Sequence, residues 1–333
     1  EAKGRPMLQW VGKRPLSYVT AFPAQKVETF NPTDEQNEGQ GLLFHGDNKD
    51  VLAWLLAHGY RGEVDLIYID PPFDSGADYV RNVELRGVDT PKMGGQSHSL
   101  GEQIQYTDIW ANDMYLQFMY ERLLLLKELL AEGGTMWLHC DWHKDYLLRC
   151  LLDEVFGAQN FRNEIIWHCY HEMQGNVNRF ASNHDIILSY QKGSSRVYHP
   201  ISKEREKSVR QLKRVWDSET NSLVNARDEE GNLIYIESTR KTMDDVWRLS
   251  MLQPADQTEN LRFPTQKPET LLDIIISSST EPGALVLDCF VGCGTAAAVA
   301  QQLGRRWIAA DINKVAIQLT SRRLQTIIQE HIE

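Results

Sequence analysis

The amino-acid sequence predicts an α/β fold built on a parallel sheet. Short apolar runs rich in β-branched and aromatic residues, such as 66–69 and 284–288, alternate with amphipathic stretches of helical length. Uniformly apolar strands are typical of parallel sheets that helices cover on both faces. Asp70 and Asp311 each follow such a run, and open α/β sheets bind their ligands at the carboxyl ends of their strands.

Composition narrows the class of protein. The chain has 333 residues, 42% of them apolar, which fits one catalytic domain with an insertion, or two domains. The formal net charge of −11 argues against a strongly basic surface but permits a local cationic groove. Five cysteines without paired spacing indicate free thiols in a reducing cytoplasm. No apolar run approaches the ~20 residues of a membrane span, and the first forty residues lack a secretory segment, so we expect a cytoplasmic protein.

The first half of the chain predicts an irregular arm and then half of a parallel α/β domain. Four prolines among mixed aromatic and polar residues indicate an N-terminal arm over residues 1–40. Residues 41–169 form the catalytic half, with predicted strands at 41–45, 65–69, 135–139 and 164–167 and predicted helices at 50–58, 114–130 and 147–155. Between 75 and 108 a polar, glycine-rich stretch without period interrupts the pattern, as is typical of an active-site lid.

Residues 170–262 differ in character and predict an inserted module. The charged run 203–214 is interpreted as a helix, and a hairpin-like turn follows around Gly231. The basic residues of this run either face solvent or contact phosphate groups, and the sequence leaves both open. Residues 263–333 resume the α/β pattern, with strands at 284–288 and 307–310, a helix opening near Pro268, and further helices at 295–303 and 315–328.

The stretch Asp70-Pro71-Pro72-Phe73 predicts a rigid corner rich in hydrogen-bond acceptors. It follows a buried strand, and the two prolines end that strand because neither can donate to a ladder. The Asp70 carboxylate and the carbonyls of Asp70 and Pro71 accept hydrogen bonds, while Phe73 adds a flat apolar face. Such a corner suits a planar substrate with an amino group, although the same tetrapeptide also occurs in ordinary turns.

A second constellation predicts a nucleotide-like cofactor site. Asp288 ends a strand, a turn with Gly292 and Gly294 follows, and a helix begins near Thr295. Glycine lets a ligand approach the backbone closely, and Asp311 at the end of the next strand is placed to bind ribose hydroxyls. The turn also matches the loose dinucleotide pattern G-x-G-x-x-A, which keeps a nicotinamide cofactor open.

Charge distinguishes a nicotinamide cofactor, which carries a pyrophosphate, from a cofactor with a cationic group. Asp288 beside the turn would repel a pyrophosphate but favours an ammonium or sulfonium group. Lys267 near a helix N-terminus opposes the helix dipole, so it either binds an anion such as an amino-acid carboxylate or lies solvated on the surface. A zwitterionic sulfonium cofactor with an adenosine fits Asp288, Asp311 and Lys267 together, which predicts S-adenosylmethionine.

Together, the motifs resemble those of the permuted, β-class adenine-N6 DNA methyltransferases of bacterial restriction–modification systems. The matching stretches are 70–73, 290–294, 265–268, 138–143 and 244–247, with the catalytic motif before the cofactor motif and a variable region between them. The resemblance implies a Rossmann-like S-adenosylmethionine-dependent methyltransferase sheet with circularly permuted motif order. It implies that 170–262 is a target-recognition insertion and that 263–333 is the cofactor-binding half.

Carried over residue by residue, the resemblance implies a role for each motif residue. Asp70 and the Pro71 carbonyl would accept hydrogen bonds from the target amine, Pro72 would hold the corner and Phe73 would stack on a flipped base. The other motif residues would contact the cofactor. They would line it, bind its ribose, adenine edge or carboxylate, or contact it through the 265–268 motif. These residues are Asp47, Thr265, Lys267, Asp288, Phe290, Gly292, Gly294, Thr295 and Asp311.

The resemblance also sets expectations for substrate and partners. Asp before Pro-Pro is usual in adenine-directed members, whereas cytosine-N4 members usually carry Ser, so we expect adenine in double-stranded DNA. Cytosine N4, an RNA substrate, a nicotinamide oxidoreductase and a non-catalytic recognition subunit remain as alternatives, and a homodimer and a restriction subunit remain open as partners. His139, Cys140, Asp141 and His143 are metal ligands by type but lack a completing pair, so no metal is predicted.

Overall fold

The computed structural model describes residues 7–16, 18–21, 24–30, 41–73, 78–82, 102–107, 114–169, 180, 182–195, 197–253, 256 and 258–332. Its elements are β1 (Gln25–Phe30), β2 (Gly41–His45), α1 (Asn48–Ala57), β3 (Val64–Ile69), β4 (Asp78–Asn82), β5 (Glu102–Thr107), α2 (Met114–Leu129), β6 (Leu130–Cys140), α3 (Asp145–Phe156), β7 (Phe161–His168), β8 (His184–Gln191), β9 (Ser202–Leu212), β10 (Arg214–Asp217), β11 (Ser222–Asn225), β12 (Tyr235–Thr242), β13 (Val246–Arg248), α4 (Glu269–Ser279), β14 (Leu285–Asp288), α5 (Thr295–Gln302), β15 (Arg306–Asp311) and α6 (Lys314–Ile332).

Within the described ranges, nine strands form one sheet in the order β1-β2-β15-β14-β3-β6-β8-β7-β13. The five central strands from β2 to β6 are mutually parallel, and β8 reverses the direction next to β6. The predicted α/β, Rossmann-like sheet is confirmed. β3 and β14 lie side by side although β14 follows β3 by more than two hundred residues, and this adjacency brings the two predicted motifs to one edge.

Helices cover this sheet in two groups. The crossover through α1 runs from β2 to β3, whereas the crossover through α5 runs from β14 to β15, in the opposite direction along the sheet. Right-handed crossovers therefore place α1 and α5 on opposite faces. This double cover explains the apolar strands, since the side chains of Leu66, Ile67 and Ile69 are fully buried. Among the described residues, no helix is long and apolar enough to cross a membrane.

Two stretches predicted to be irregular contain strands. The predicted arm includes β1, which pairs antiparallel with β2 at the edge of the sheet. The predicted lid includes β4 and β5, which pair antiparallel with each other; the remainder of 75–108 lies outside the described residues. Edge strands and isolated strand pairs need no continuous apolar run, so the hydrophobic pattern of the sequence did not mark them as strands.

Residues Pro200–Asp244 form a second compact unit, narrower than the predicted 170–262 insertion. β8 and β13, which flank this unit, belong to the main sheet. The predicted helix at 203–214 is wrong, because β9 is a strand paired with β12. Most side chains of β9 are exposed, so no apolar alternation marked it as a strand. The hairpin-like turn is present, with Gly231 at a φ of 86° and a bridge between Arg227 and Leu233.

Candidate active site

A cavity of about 360 Å³ opens at the carboxyl ends of β3, β14 and β15. This volume falls within the range of about 300–1,000 Å³ of small-molecule pockets. The cavity is lined by every predicted site residue except Gly294, namely Asp47, Asp70, Pro71, Pro72, Phe73, Thr265, Lys267, Asp288, Phe290, Gly292, Thr295 and Asp311. Two motifs separated by more than two hundred residues therefore share one pocket.

Asp70 forms the acceptor corner, and its two carboxylate oxygens differ. The Lys267 Nζ atom donates to Asp70 Oδ2 at 2.5 Å, and both side chains are largely buried. Asp70 Oδ1 is buried and has no hydrogen-bond partner among the described residues. The Lys267 ammonium also lies 5.4 Å from the centroid of the Phe73 ring. A cationic nitrogen is thus held between the carboxylate and the aromatic plate, where an amino group of a ligand would bind.

Lys267 has a partner that the sequence did not predict. Its ammonium pairs with Asp70, and its side chain is largely buried rather than solvated on the surface; the contact expected with a cofactor carboxylate stays a prediction. Pro268, the N-cap residue of α4, directly follows Lys267, so the helix start fixes its backbone. The contact joins residues 197 positions apart, and no local sequence signal marks such a pair.

A buried series of hydrogen-bonded side chains, which no sequence motif marks, lies behind the corner. Tyr68 is one of the residues that line the cavity. Its hydroxyl lies 3.0 Å from His139 Nδ1, and His139 Nε2 lies 3.2 Å from Asp185 Oδ2. His139 is fully buried beside the rings of Phe73 and Trp167. Burial, followed by the nearby carboxylates of Asp70, Asp288 and Asp185, raises the pKa of Tyr68 well above its usual range. The phenol therefore keeps its proton.

Asp288 supplies a second carboxylate from the end of β14. The Phe290 backbone N–H donates to Asp288 Oδ1 at 2.9 Å. Burial is the main reason that the pKa of Asp288 lies well above its usual range, and the charges of Asp70 and Asp311 add to it. Because clustered carboxylates repel one another, a cationic ligand in this cavity would relieve the repulsion.

Asp311 joins the ends of two strands. Its carboxylate accepts hydrogen bonds from the Gly292 N–H at 2.9 Å and from the Asn313 N–H at 2.8 Å. Burial raises its pKa to about 6, although these backbone hydrogen bonds act in the opposite direction. Asp311 therefore fixes the turn after β14 in addition to lining the cavity.

The two turn glycines have different functions. Gly292 lines the cavity, at a φ of 54°. Gly294 instead faces α6 at a φ of 85°, and a Cβ atom there would lie 2.8 Å from the Thr320 side chain. Its predicted contact with the cofactor has no support from the cavity, and helix packing explains the glycine. Thr295 begins α5 and donates from Oγ1 to the Lys267 carbonyl at 3.2 Å.

Asp47 occupies the opposite side of the cavity. Its Oδ1 atom accepts from the Lys49 N–H at 2.8 Å and so caps α1. The guanidinium of Arg122 binds the same carboxylate at 3.0 Å and lies over the Phe118 ring. About two fifths of the Asp47 side chain stays exposed (41%), so its carboxylate remains accessible to a ligand.

Two of the residues discounted as metal ligands, Asp141 and His143, bind each other. Asp141 accepts from the His143 backbone and lies 2.7 Å from its Nδ1 atom. In the part of the chain that the structure describes, no group of three His, Cys, Asp or Glu side chains could hold a metal ion.

The model of the N6/N4 DNA methylase family matches residues 64–322. The chain belongs to this family. The matched range includes both the Asp70 corner and the Asp288 turn, and most of the sheet. The prediction of a restriction–modification DNA methyltransferase relationship is therefore confirmed.

The curated relatives that the chain matches differ in how much of their length it covers. The chain is 27% identical to the type III restriction–modification enzyme EcoP15I Mod subunit of Escherichia coli, over 75% of the chain and 39% of that subunit. It is 25% identical to the type II methyltransferase M2.DpnII of Streptococcus pneumoniae, over 87% of the chain and 91% of that enzyme. The chain thus spans about two fifths of the type III subunit and nearly all of the type II enzyme.

Solved structures agree with the fold. The crystal structure of the M1.HpyAVI–SAM complex matches with a TM-score of 0.51 at 19% identity, over 85% of this chain and 98% of that one. The PvuII DNA methyltransferase, described as cytosine-N4-specific, matches with a TM-score of 0.50 at 15% identity, over 87% and 92%. At these identities the likeness shows the fold alone.

Proposed function

We propose that this protein is an S-adenosylmethionine-dependent DNA methyltransferase that methylates the exocyclic N6 amine of adenine. The observation that carries the proposal is the Asp70 corner. Asp70 Oδ1 is buried and has no hydrogen-bond partner among the residues that the structure describes, and Asp70 shares its cavity with the Phe73 ring and with the family's second motif. Membership of the N6/N4 family supports a DNA amine as the acceptor.

The donor set of the cavity fits the cofactor. S-adenosylmethionine supplies a methyl group on a cationic sulfonium, and it also carries an ammonium group. Burial raises the pKa of both Asp288 and Asp311, and the charges of Asp70 and Asp311 raise that of Asp288 further, so a cationic group in the cavity would favour their ionised forms. Phe290, Phe118 and Phe263 add apolar surface to the lining, which suits a purine ring. Asp288 would bind the cationic end, Asp311 the ribose and Asp47 the adenine edge.

The residues of the corner would activate the amine. An exocyclic amine on a purine is a poor nucleophile because its lone pair is delocalised into the ring. The Asp70 carboxylate and the Pro71 carbonyl would accept its hydrogens, which favours tetrahedral nitrogen and stabilises the positive charge that develops. The base must leave the duplex to reach the corner, and stacking on Phe73 would offset the cost by roughly 1–3 kcal/mol.

The Lys267 ammonium binds Asp70 Oδ2 and lies beside the Phe73 ring, so it would have to move when a base stacks on Phe73 and its amine donates to Asp70 Oδ1. An anionic group of the cofactor would give the displaced ammonium a new partner. This restores the role that the resemblance implied for Lys267, as a second state of the same side chain.

Adenine is favoured over cytosine by Asp70, because cytosine-N4 members of the resembled class usually carry Ser there. The fold does not decide it, because a cytosine-N4-specific enzyme matches comparably well.

Substrate and partners follow from the same family. Double-stranded DNA is the proposed substrate, with residues 170–262, including the Pro200–Asp244 unit, as the proposed recognition region. A restriction subunit is the proposed partner, a homodimer is a second assembly to test, and the cytoplasm is the proposed location.

A nicotinamide oxidoreductase remains the rival. The match of Gly292–Ala297 to the dinucleotide pattern favours it, but four carboxylates line the cavity and oppose a pyrophosphate, and the Asp70 corner would have no function.

Transfer of labelled methyl from the cofactor to duplex DNA, followed by nucleoside digestion, tests the proposal. Label in N6-methyladenosine is expected. Label in N4-methylcytidine would reassign the base, transfer to RNA alone would reassign the nucleic acid, and no transfer to either would refute the proposed activity.

A further inference from the structure

We propose that Tyr68 is a third hydrogen-bond acceptor of the reaction site, with its oxygen aimed at the target amine by His139 and Asp185. The inference rests on the proposed function. It concerns a residue that lies outside the acceptor corner and that none of the sequence motifs assigned.

Strand geometry places Tyr68 next to the corner. Tyr68 and Asp70 are alternate residues at the end of β3, so their side chains leave the same face of the sheet, about 6–7 Å apart along the strand. Leu287 of β14 pairs with Ile67, so Asp288 and Tyr68 follow side by side. Tyr68 therefore lies between the carboxylate proposed for the amine and the one proposed for the cofactor, and all three line the cavity.

Asp185, the last of the three hydrogen-bonded residues, determines which atoms donate and which accept. The Asp185 carboxylate can only accept, so His139 Nε2 carries a proton. In a neutral imidazole, Nδ1 is then an acceptor, and the Tyr68 hydroxyl must donate to it. Since this is the hydroxyl's single hydrogen bond among the described residues, the lone pairs of the Tyr68 oxygen stay available to a donor in the cavity.

Three adjacent strands hold this arrangement rigidly. Tyr68, His139 and Asp185 come from β3, β6 and β8, which are neighbours in the sheet. The His139 side chain is fully buried (0% exposed), whereas the Asp185 side chain is 21% exposed. The buried ring is therefore fixed between one partner at the cavity and one near the surface. A pre-oriented acceptor needs no reorganisation when positive charge develops on the amine.

Kinetics separate this role from a structural one. Tyr68→Phe removes only the hydroxyl, and we expect single-turnover methyl transfer at saturating DNA to slow by about tenfold to a hundredfold. The KM for DNA and the Kd for S-adenosylmethionine should stay within about twofold. The matched control is Tyr190→Phe, because Tyr190 is a fully buried phenol whose hydroxyl donates to Asp153 at 2.6 Å, outside the cavity lining. This control should leave the transfer rate unchanged.

A double-variant cycle tests whether Asp185 acts through Tyr68. Asp185→Ala should slow transfer, and adding it to Tyr68→Phe should cause no further loss, because the hydroxyl that it orients is already absent. Additive losses would overturn the orienting role of Asp185.

Nitrogen-15 NMR of histidine-labelled protein reads the orientation without catalysis. We expect His139 to carry its proton on Nε2, and the Nδ1 resonance to move in Tyr68→Phe towards that of a nitrogen without a hydrogen-bond donor. A proton on Nδ1 would overturn the inference. If the unaltered protein transfers no methyl group, the proposed function fails and this role fails with it. If it does and Tyr68→Phe transfers equally fast, this inference alone fails.

Discussion

The ends of β3 and β14 lie next to each other but hold their carboxylates in different ways. Asp70, after β3, has one oxygen bound by a lysine and one that is buried and has no partner in the described part of the chain. Asp288 at the end of β14 and Asp311 at the end of β15 accept hydrogen bonds from backbone N–H groups of the following turns. The first end keeps capacity for a reacting group, whereas the second uses its carboxylates to shape a turn. This difference supports the proposal that the Asp70 end acts on the target amine and the Asp288 and Asp311 end binds the cofactor.

The largest effect is expected at the reacting end. Asp70→Ala should lower the rate of methyl transfer by at least about 10²- to 10³-fold, because the amine loses its charged acceptor. Binding of S-adenosylmethionine, measured by calorimetry, should stay within a few fold. Glu63→Ala is the control, since Glu63 is an exposed carboxylate at the opposite end of β3. Full loss of cofactor binding in Asp70→Ala would contradict the separation.

The binding end should respond in the opposite way. Asp311→Ala should lower cofactor affinity by about tenfold or more, because both the ribose contact and the anchor of the 292 turn are lost. The pKa of about 6 gives a pH test. Below that pH the raised carboxyl is protonated and accepts less well, so wild-type affinity should fall as the pH drops through about 6, and the variant should lack this step. Calorimetry between roughly pH 5 and 8 measures both, with the exposed Asp273→Ala as control; unchanged affinity in Asp311→Ala would contradict the assignment.

Substitution of Lys267 tests whether the protein loses stability when the Asp70 carboxylate loses its charged partner. Lys267→Met should lower the free energy of unfolding by about 3 kcal/mol, because it leaves a largely buried carboxylate unpaired. The double variant Asp70→Asn/Lys267→Met should recover most of this loss in urea unfolding. Equal stability of Lys267→Met and the unaltered protein would show that the pair adds nothing.

The smallest effect is expected at Gly294. Gly294→Ala should destabilise the protein by about 1–3 kcal/mol, because the residue has a positive φ and its Cβ would meet Thr320. Gly304→Ala is a matched control with a φ of 69° and no atom within 4 Å of the Cβ position, so it reports backbone strain alone. Equal losses in the two variants would remove the packing argument. Cofactor affinity should stay unchanged, in contrast to the role that the motif implied.

The sequence predicted what local chemistry determines. Buried strands, their polar ends and the glycine turn each have a local pattern, and Asp70, Asp288 and Asp311, which that pattern singled out, all line the cavity. Pairings across the sheet have no such pattern, and the contacts of Lys267 with Asp70 and of Tyr68 with His139 were therefore missed. β9 was misread as a helix because its stabilising partner, β12, lies in a distant part of the sequence and most side chains of β9 stay exposed.

The order of the strands has a consequence for biosynthesis. β2 and β3 are made early, yet β15 and β14, made last, fill the space between them. The Leu285 N–H donates to Asp65 Oδ2 at 2.7 Å across a separation of 220 residues. Until that segment leaves the ribosome, the nascent chain has two unpaired apolar strand edges and only half of the cavity. Folding of the site is therefore a slow, long-range closure, and chaperone protection would matter most during that interval.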